Sequence, residues 1–73
     1  MGLFLTSRVS YLGKLREHRQ RRGLTQMELS MISGVSRATI ADLEAGKRGA
    51  YQSTVKKLAR ALKVKPRELM EGE

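Results

Sequence analysis

The 73 residues suffice for one compact domain and leave no room for a second. The chain has no cysteine and a single histidine, which excludes a disulfide framework and a zinc site built from Cys and His. Fifteen Lys and Arg against seven Asp and Glu give a formal charge of +8, which favours a polyanionic partner, nucleic acid ahead of an anionic membrane surface.

The first predicted helix follows an apolar stretch at the start of the chain. Residues 2–5 are too short a run for a signal-peptide core, so the sequence predicts a soluble, cytoplasmic protein. We expect residues 1–10 to be flexible or to contact a second subunit. Helix 1 is predicted from Ser10 to Arg22, and Gly23 closes its end.

Helix 2 is predicted to begin with a capping box. The Thr25 hydroxyl can accept from the Glu28 amide while the Glu28 carboxylate reaches back to the amide of Thr25. Leu29 and Ile32 are three residues apart, and we expect both to face the core. Gly34 then fits a sharp turn that needs a positive φ.

Helix 3 is predicted from its cap, Ser36, to Ala45. Ile40 and Leu43 are three residues apart and would face inward, together with Val35 just before the helix. A helical wheel then places these residues on the opposite, solvent-facing side: Ser36, Arg37, Ala38, Ala41 and Asp42.

Two further helices complete the predicted fold. After a basic loop, apolar residues recur at helical spacing and predict helix 4: Val55, Leu58, Ala59 and Leu62. Pro66 suits the first turn of a short helix 5 that ends near Met70. We therefore predict an all-α, compact bundle of five short helices over residues 11–70, with residues 71–73 as a tail.

Several motifs fall at the intervals of one known family: Leu15-Arg16-Glu17, Gly23-Leu24-Thr25-Gln26, Gly34-Val35-Ser36, Glu44-Ala45-Gly46-Lys47 and Leu58-Ala59-Arg60-Ala61-Leu62. In this combination the chain resembles the Cro and phage-repressor (XRE) helix-turn-helix family from about Leu12 to Leu69. The resemblance implies a lambda-repressor-like domain that binds double-stranded operator DNA as a homodimer. Helix 3 would enter the major groove.

The resemblance also implies roles for individual residues. The base-reading positions become Ser36, Arg37, Ala38, Ala41 and Asp42. Arg37 has the fork of donors that suits guanine, Ala38 a methyl group for thymine, and Asp42 an acceptor for cytosine N4. A phosphate contact is the open alternative for Arg37.

Other positions are implied to hold the DNA backbone or the fold. The phosphate-contacting residues become Thr25, Gln26, Lys47 and Arg48. Arg19 is implied to form a structural ion pair with Glu44. His18 is read as a half-buried packing residue, and because no second His, Cys or carboxylate pair stands at useful spacing, we predict no catalytic site, metal or cofactor.

Two departures from the family pattern leave local shape open. Lys63 stands where the family usually has Gly at the end of helix 4, so either Lys63 takes a positive φ or the turn is built differently. Ala50 and Tyr51 replace the usual Pro-Ser helix start, which leaves the loop from Lys47 to Ser53 undefined.

Two classes of function remain open from the sequence. The first is a sequence-specific transcriptional regulator, such as a phage-type repressor, a restriction-modification controller or an antitoxin. The second is an adaptor of the same fold that docks a protein partner, a toxin or a transcription factor. A membrane-surface role is disfavoured because the basic residues lack an apolar stripe beside them.

Overall fold

The computed structural model describes residues 9–70, so the expectations for residues 1–8 and for the tail at 71–73 lie outside the described part of the chain. Over residues 9–70 the five predicted helices are confirmed: α1 (Leu15–Arg21), α2 (Gln26–Ser33), α3 (Arg37–Glu44), α4 (Gln52–Leu62) and α5 (Pro66–Leu69). The longest of these, α4, has 11 residues, and no helix in this part of the chain has the length and apolarity to span a bilayer.

Two short strands correct the all-α prediction. β1 (Val9–Ser10) and β2 (Ala50–Tyr51) pair in antiparallel register. The predicted start of helix 1 at Ser10 was therefore wrong, because Ser10 lies in a strand and α1 begins only at Leu15. The loop that the sequence left undefined thus contains β2, and α4 follows it directly.

The approach of β1 to the chain just before β2 depends on Gly49. A Cβ atom at this position would lie 2.9 Å from Val9 Cγ2 and 3.1 Å from the carbonyl oxygen of Ser10. Those separations are too short for a side chain, so a glycine is needed where the two segments meet.

One apolar core receives side chains from all five helices: Leu12, Leu15, Leu29, Val35, Ile40, Leu43, Ala50, Val55, Leu58, Ala59, Leu62 and Leu69. Within it α2 packs against α3 and α4, and α4 packs against α5. These contacts fix the angle between α2 and α3, on which the position of the exposed side of α3 depends.

Ile32 does not join the core, and its predicted burial was wrong. Leu29 is fully buried, whereas Ile32 is 58% exposed. The half-buried neighbours of Leu29 on α2 are Gln26, Ser30 and Ser33. At 100° per residue these three lie to one side of Leu29 and Ile32 lies to the other, so the packed face turns away from Ile32.

The predicted turn and cap residues determine where the helices end. Thr25 Oγ1 accepts from the Glu28 amide at 3.0 Å, and Glu28 Oε1 accepts from the Thr25 amide at 2.8 Å, which confirms the capping box. Gly34 has φ 79°, and the Ser36 side chain accepts an amide in the first turn of α3. Lys63 takes the positive φ, 58°, the first of the two alternatives left open by the sequence.

Candidate nucleic-acid interface

The side of α3 that faces away from the core is the candidate recognition surface. Ile40 is fully buried and Leu43 is 2% exposed, so both hold α3 from behind. On the other side Ser36, Arg37 and Ala38 are exposed, and Ala41 and Asp42 are half-buried. The five residues predicted to read bases thus remain accessible on one outward surface.

This surface offers three different kinds of chemical group. Arg37 is the first residue of α3 and makes no ion pair with any other residue in the described range. Ala38 and Ala41 present methyl groups, and Asp42 presents an acceptor. Base pairs differ in the major groove by their donors, acceptors and methyl groups, and that groove, about 12 Å wide, admits an α-helix.

Behind the recognition surface, a buried ion pair joins α1 to the end of α3. Arg19 Nε and Nη2 donate to the two carboxylate oxygens of Glu44, the second at 2.9 Å, and Arg19 Nη1 donates to the carbonyl oxygen of Leu24 at 2.7 Å. The side chains are only 10% and 2% exposed. The pair therefore fixes the C-terminal end of α3 on α1.

Both members of this pair remain charged at neutral pH. Burial would raise the pKa of Glu44, but hydrogen bonds from Arg19 and Gln26 and the positive charges of Arg19 and Arg16 outweigh burial, so the pKa of Glu44 lies below its ordinary value. The hydrogen bond to Glu44 in turn raises the pKa of Arg19. The contact is a true ion pair across the neutral range.

Gln26 and Thr25, two of the predicted phosphate-contacting residues, already have partners inside the protein. Gln26 Nε2 donates to Glu44 Oε1 at 3.0 Å, and the Thr25 hydroxyl serves as the cap of α2. The N–H groups of Gln26 and Met27 have no partner within the helix, because they lie in its first turn. Backbone donors are thus available where α2 begins, beside the end of α3.

Lys47 and Arg48 follow α3 and are both exposed. The Lys47 amide donates to the carbonyl oxygen of Asp42 at 3.0 Å, and Gly46 takes a φ of 74° that turns the chain. This bond holds the loop against the last turn of α3. The two predicted phosphate-contacting cations therefore stand next to the recognition surface.

The sequence analysis missed two members of the buried cluster. Gln26 was assigned only to a phosphate, although its amide also bonds to Glu44. Arg16 was given no role, yet its Nε lies 3.6 Å from Glu44 Oε1. Arg16 precedes Arg19 by three residues on α1, and this spacing, which places both side chains on one face, was the signal available in the sequence.

A helix-turn-helix family model matches residues 15–69 of the chain. The chain therefore belongs to this family, and the resemblance to the Cro and phage-repressor (XRE) proteins is confirmed. In a solved structure, the restriction-modification controller protein C.AhdI from Aeromonas hydrophila has the same fold. The TM-score is 0.76 at 39% identity, over 85% of this chain and 94% of that one.

Two curated relatives come from Bacillus subtilis (strain 168). One is the HTH-type transcriptional repressor RghR, 47% identical over 62 residues, which are 84% of this chain and 46% of that protein. The other is RghRB, described as an uncharacterized HTH-type transcriptional regulator, 50% identical over 58 residues, or 78% of this chain and 42% of the relative. The chain spans less than half the length of these two proteins.

Proposed function

We propose that this chain binds double-stranded DNA sequence-specifically and regulates transcription in the cytoplasm, acting as a repressor. The observation that carries the proposal is the outward side of α3, residues 36–42, held in place by the buried Ile40 and Leu43. The repressor and the controller among its relatives support the same function. The DNA-binding unit is a homodimer on a palindromic operator, with half-sites about 34 Å apart.

The residues divide by role around that surface. Base edges are read by Ser36, Arg37, Ala38, Ala41 and Asp42, and phosphates are held by Thr25, Gln26, Lys47 and Arg48. Thr25 and Gln26 act through the start of α2, because their side chains are already engaged. Lys47 and Arg48 act through their charges, and such contacts make binding dependent on salt.

A competition titration tests this function. Genomic duplex fragments are titrated with the protein in the presence of excess non-specific duplex, at salt concentrations from about 50 to 200 mM. We expect a minority of fragments to stay bound, with two protomers per site and an affinity that falls steeply with salt. Equal retention of all fragments contradicts sequence-specific recognition.

A protein-binding adaptor or antitoxin is the second candidate function. The observation in its favour is an exposed apolar group on α2, where Met27, Met31 and Ile32 are 53%, 76% and 58% exposed. Contiguous apolar side chains on a surface often mark a protein interface, and here the partner would be a toxin or a transcription factor. DNA binding that is absent or insensitive to salt in the same titration supports this candidate.

A further inference from the structure

Arg16 stands out because it belongs to the buried Glu44 cluster but is itself open to solvent. Its Nε lies 3.6 Å from Glu44 Oε1, and its side chain is 66% exposed. That separation is longer than a hydrogen bond, so Glu44 attracts the Arg16 guanidinium by charge without using its N–H donors. The donors of Arg16 stay available to a second anion.

The cluster carries more positive than negative charge. Glu44 Oε1 already accepts from Arg19 Nη2 at 2.9 Å and from Gln26 Nε2 at 3.0 Å. Two guanidinium groups thus share one carboxylate that is only 2% exposed. Since Arg19 is buried, the uncompensated charge is presented to solvent by Arg16.

The position of Arg16 links the two segments that hold phosphates in the proposed function. Through Glu44 it lies beside Gln26, the first residue of α2, and beside the end of α3, three residues before Lys47. An exposed cation between a helix start and a basic loop continues the same positive surface.

From this arrangement we infer that Arg16 is a further phosphate-contacting residue, held in position by Glu44. The inference rests on the proposed DNA-binding function and adds to it a residue on α1. The chemistry it recognises is the phosphodiester group, so its contribution is the same for every duplex sequence.

The decisive comparison is between Arg16→Gln and a matched control, Arg21→Gln. Arg21 lies on the same helix with a side chain 67% exposed, pairs with Glu17 at 2.7 Å and lines a groove with Leu62 and Val64. Each variant removes one exposed positive charge from α1. The two differ in whether the charge belongs to the Glu44 cluster.

The readout is the slope of log affinity against log salt concentration, measured by fluorescence anisotropy on one selected and one non-specific duplex. Arg16→Gln should make the slope shallower by about 0.9 on both duplexes, as expected for one lost phosphate contact. Arg21→Gln should keep the wild-type slope, and so should Arg16→Lys, which retains the charge. Thermal melting by circular dichroism checks that each variant is folded.

Each result has a definite meaning. If wild-type protein binds neither duplex, the proposed function fails. If wild-type protein binds but Arg16→Gln keeps its slope, or if Arg21→Gln lowers the slope equally, the inference about Arg16 is overturned. Should Arg16→Gln melt too early to assay, Arg16→Lys decides, because a wild-type slope supports the contact and a shallower slope contradicts it.

Discussion

Replacing Glu44 with Gln tests how far the buried cluster holds α3 in place. The substitution keeps the shape of the side chain but removes the charge that faces Arg19, whose side chain is 10% exposed. It also turns one acceptor of the Arg19 fork into a donor, so one of the hydrogen bonds to Arg19 is lost. A buried guanidinium is then left without a counter-ion.

The expected loss is large for a domain of this size. Breaking a buried ion pair by removing one partner costs about 3–5 kcal/mol. At roughly 0.05–0.15 kcal/mol per residue, 73 residues have a free energy of unfolding of roughly 4–11 kcal/mol. Glu44→Gln should therefore remove a third or more of the stability, and a loss of DNA binding in this variant would reflect unfolding.

Urea unfolding at pH 7, followed by circular dichroism at the helical band, measures this loss. The matched control is Glu17→Gln, because Glu17 pairs with Arg21 on the surface, with side chains 49% and 67% exposed. An exposed pair of this kind contributes about 0.3–0.5 kcal/mol. The reasoning is refuted if Glu44→Gln costs no more than Glu17→Gln.

Three further predictions follow from the same structure. Because the pKa of Glu44 is lowered in the folded state, its ionisation stabilises the fold above the unfolded-state pKa, near 4.5, and this contribution disappears as the pH falls through the folded pKa; the stability gap between wild type and Glu44→Gln should therefore shrink in acid, and a constant gap would contradict this. Lys63→Gly should raise the free energy of unfolding by about 1 kcal/mol in urea, since Lys63 has φ 58°, and a decrease would argue against strain there. Lys47→Ala should weaken binding to all duplexes alike, and a changed preference among operators would make Lys47 a base-reading residue.

The sequence predicted the features that depend on residues close together in the chain. The capping box of Thr25 and Glu28 needs residues three apart, and the positive φ of Gly34 needs only the glycine. Pro66 likewise begins α5 as predicted. Such signals are local, so the preference of each residue is enough to determine the structure.

The features that the sequence did not predict depend on distant contacts. β1 pairs with β2 some forty residues later, and strands of two residues carry no periodic pattern to reveal them. Arg19 and Glu44 are 25 positions apart, so their pairing came from the family resemblance alone. The bond from Gln26 to Glu44 spans 18 positions and was missed for the same reason.

The central claim is that the outward side of α3 reads base edges, and selection from a random duplex pool tests it most directly. Wild-type protein should enrich one short inverted repeat, whereas Arg37→Ala should relax one base pair in each half-site, by about 1–3 kcal/mol, while melting as wild type does. Enrichment of the same sequence by both proteins, or of none by the wild type, would contradict the claim.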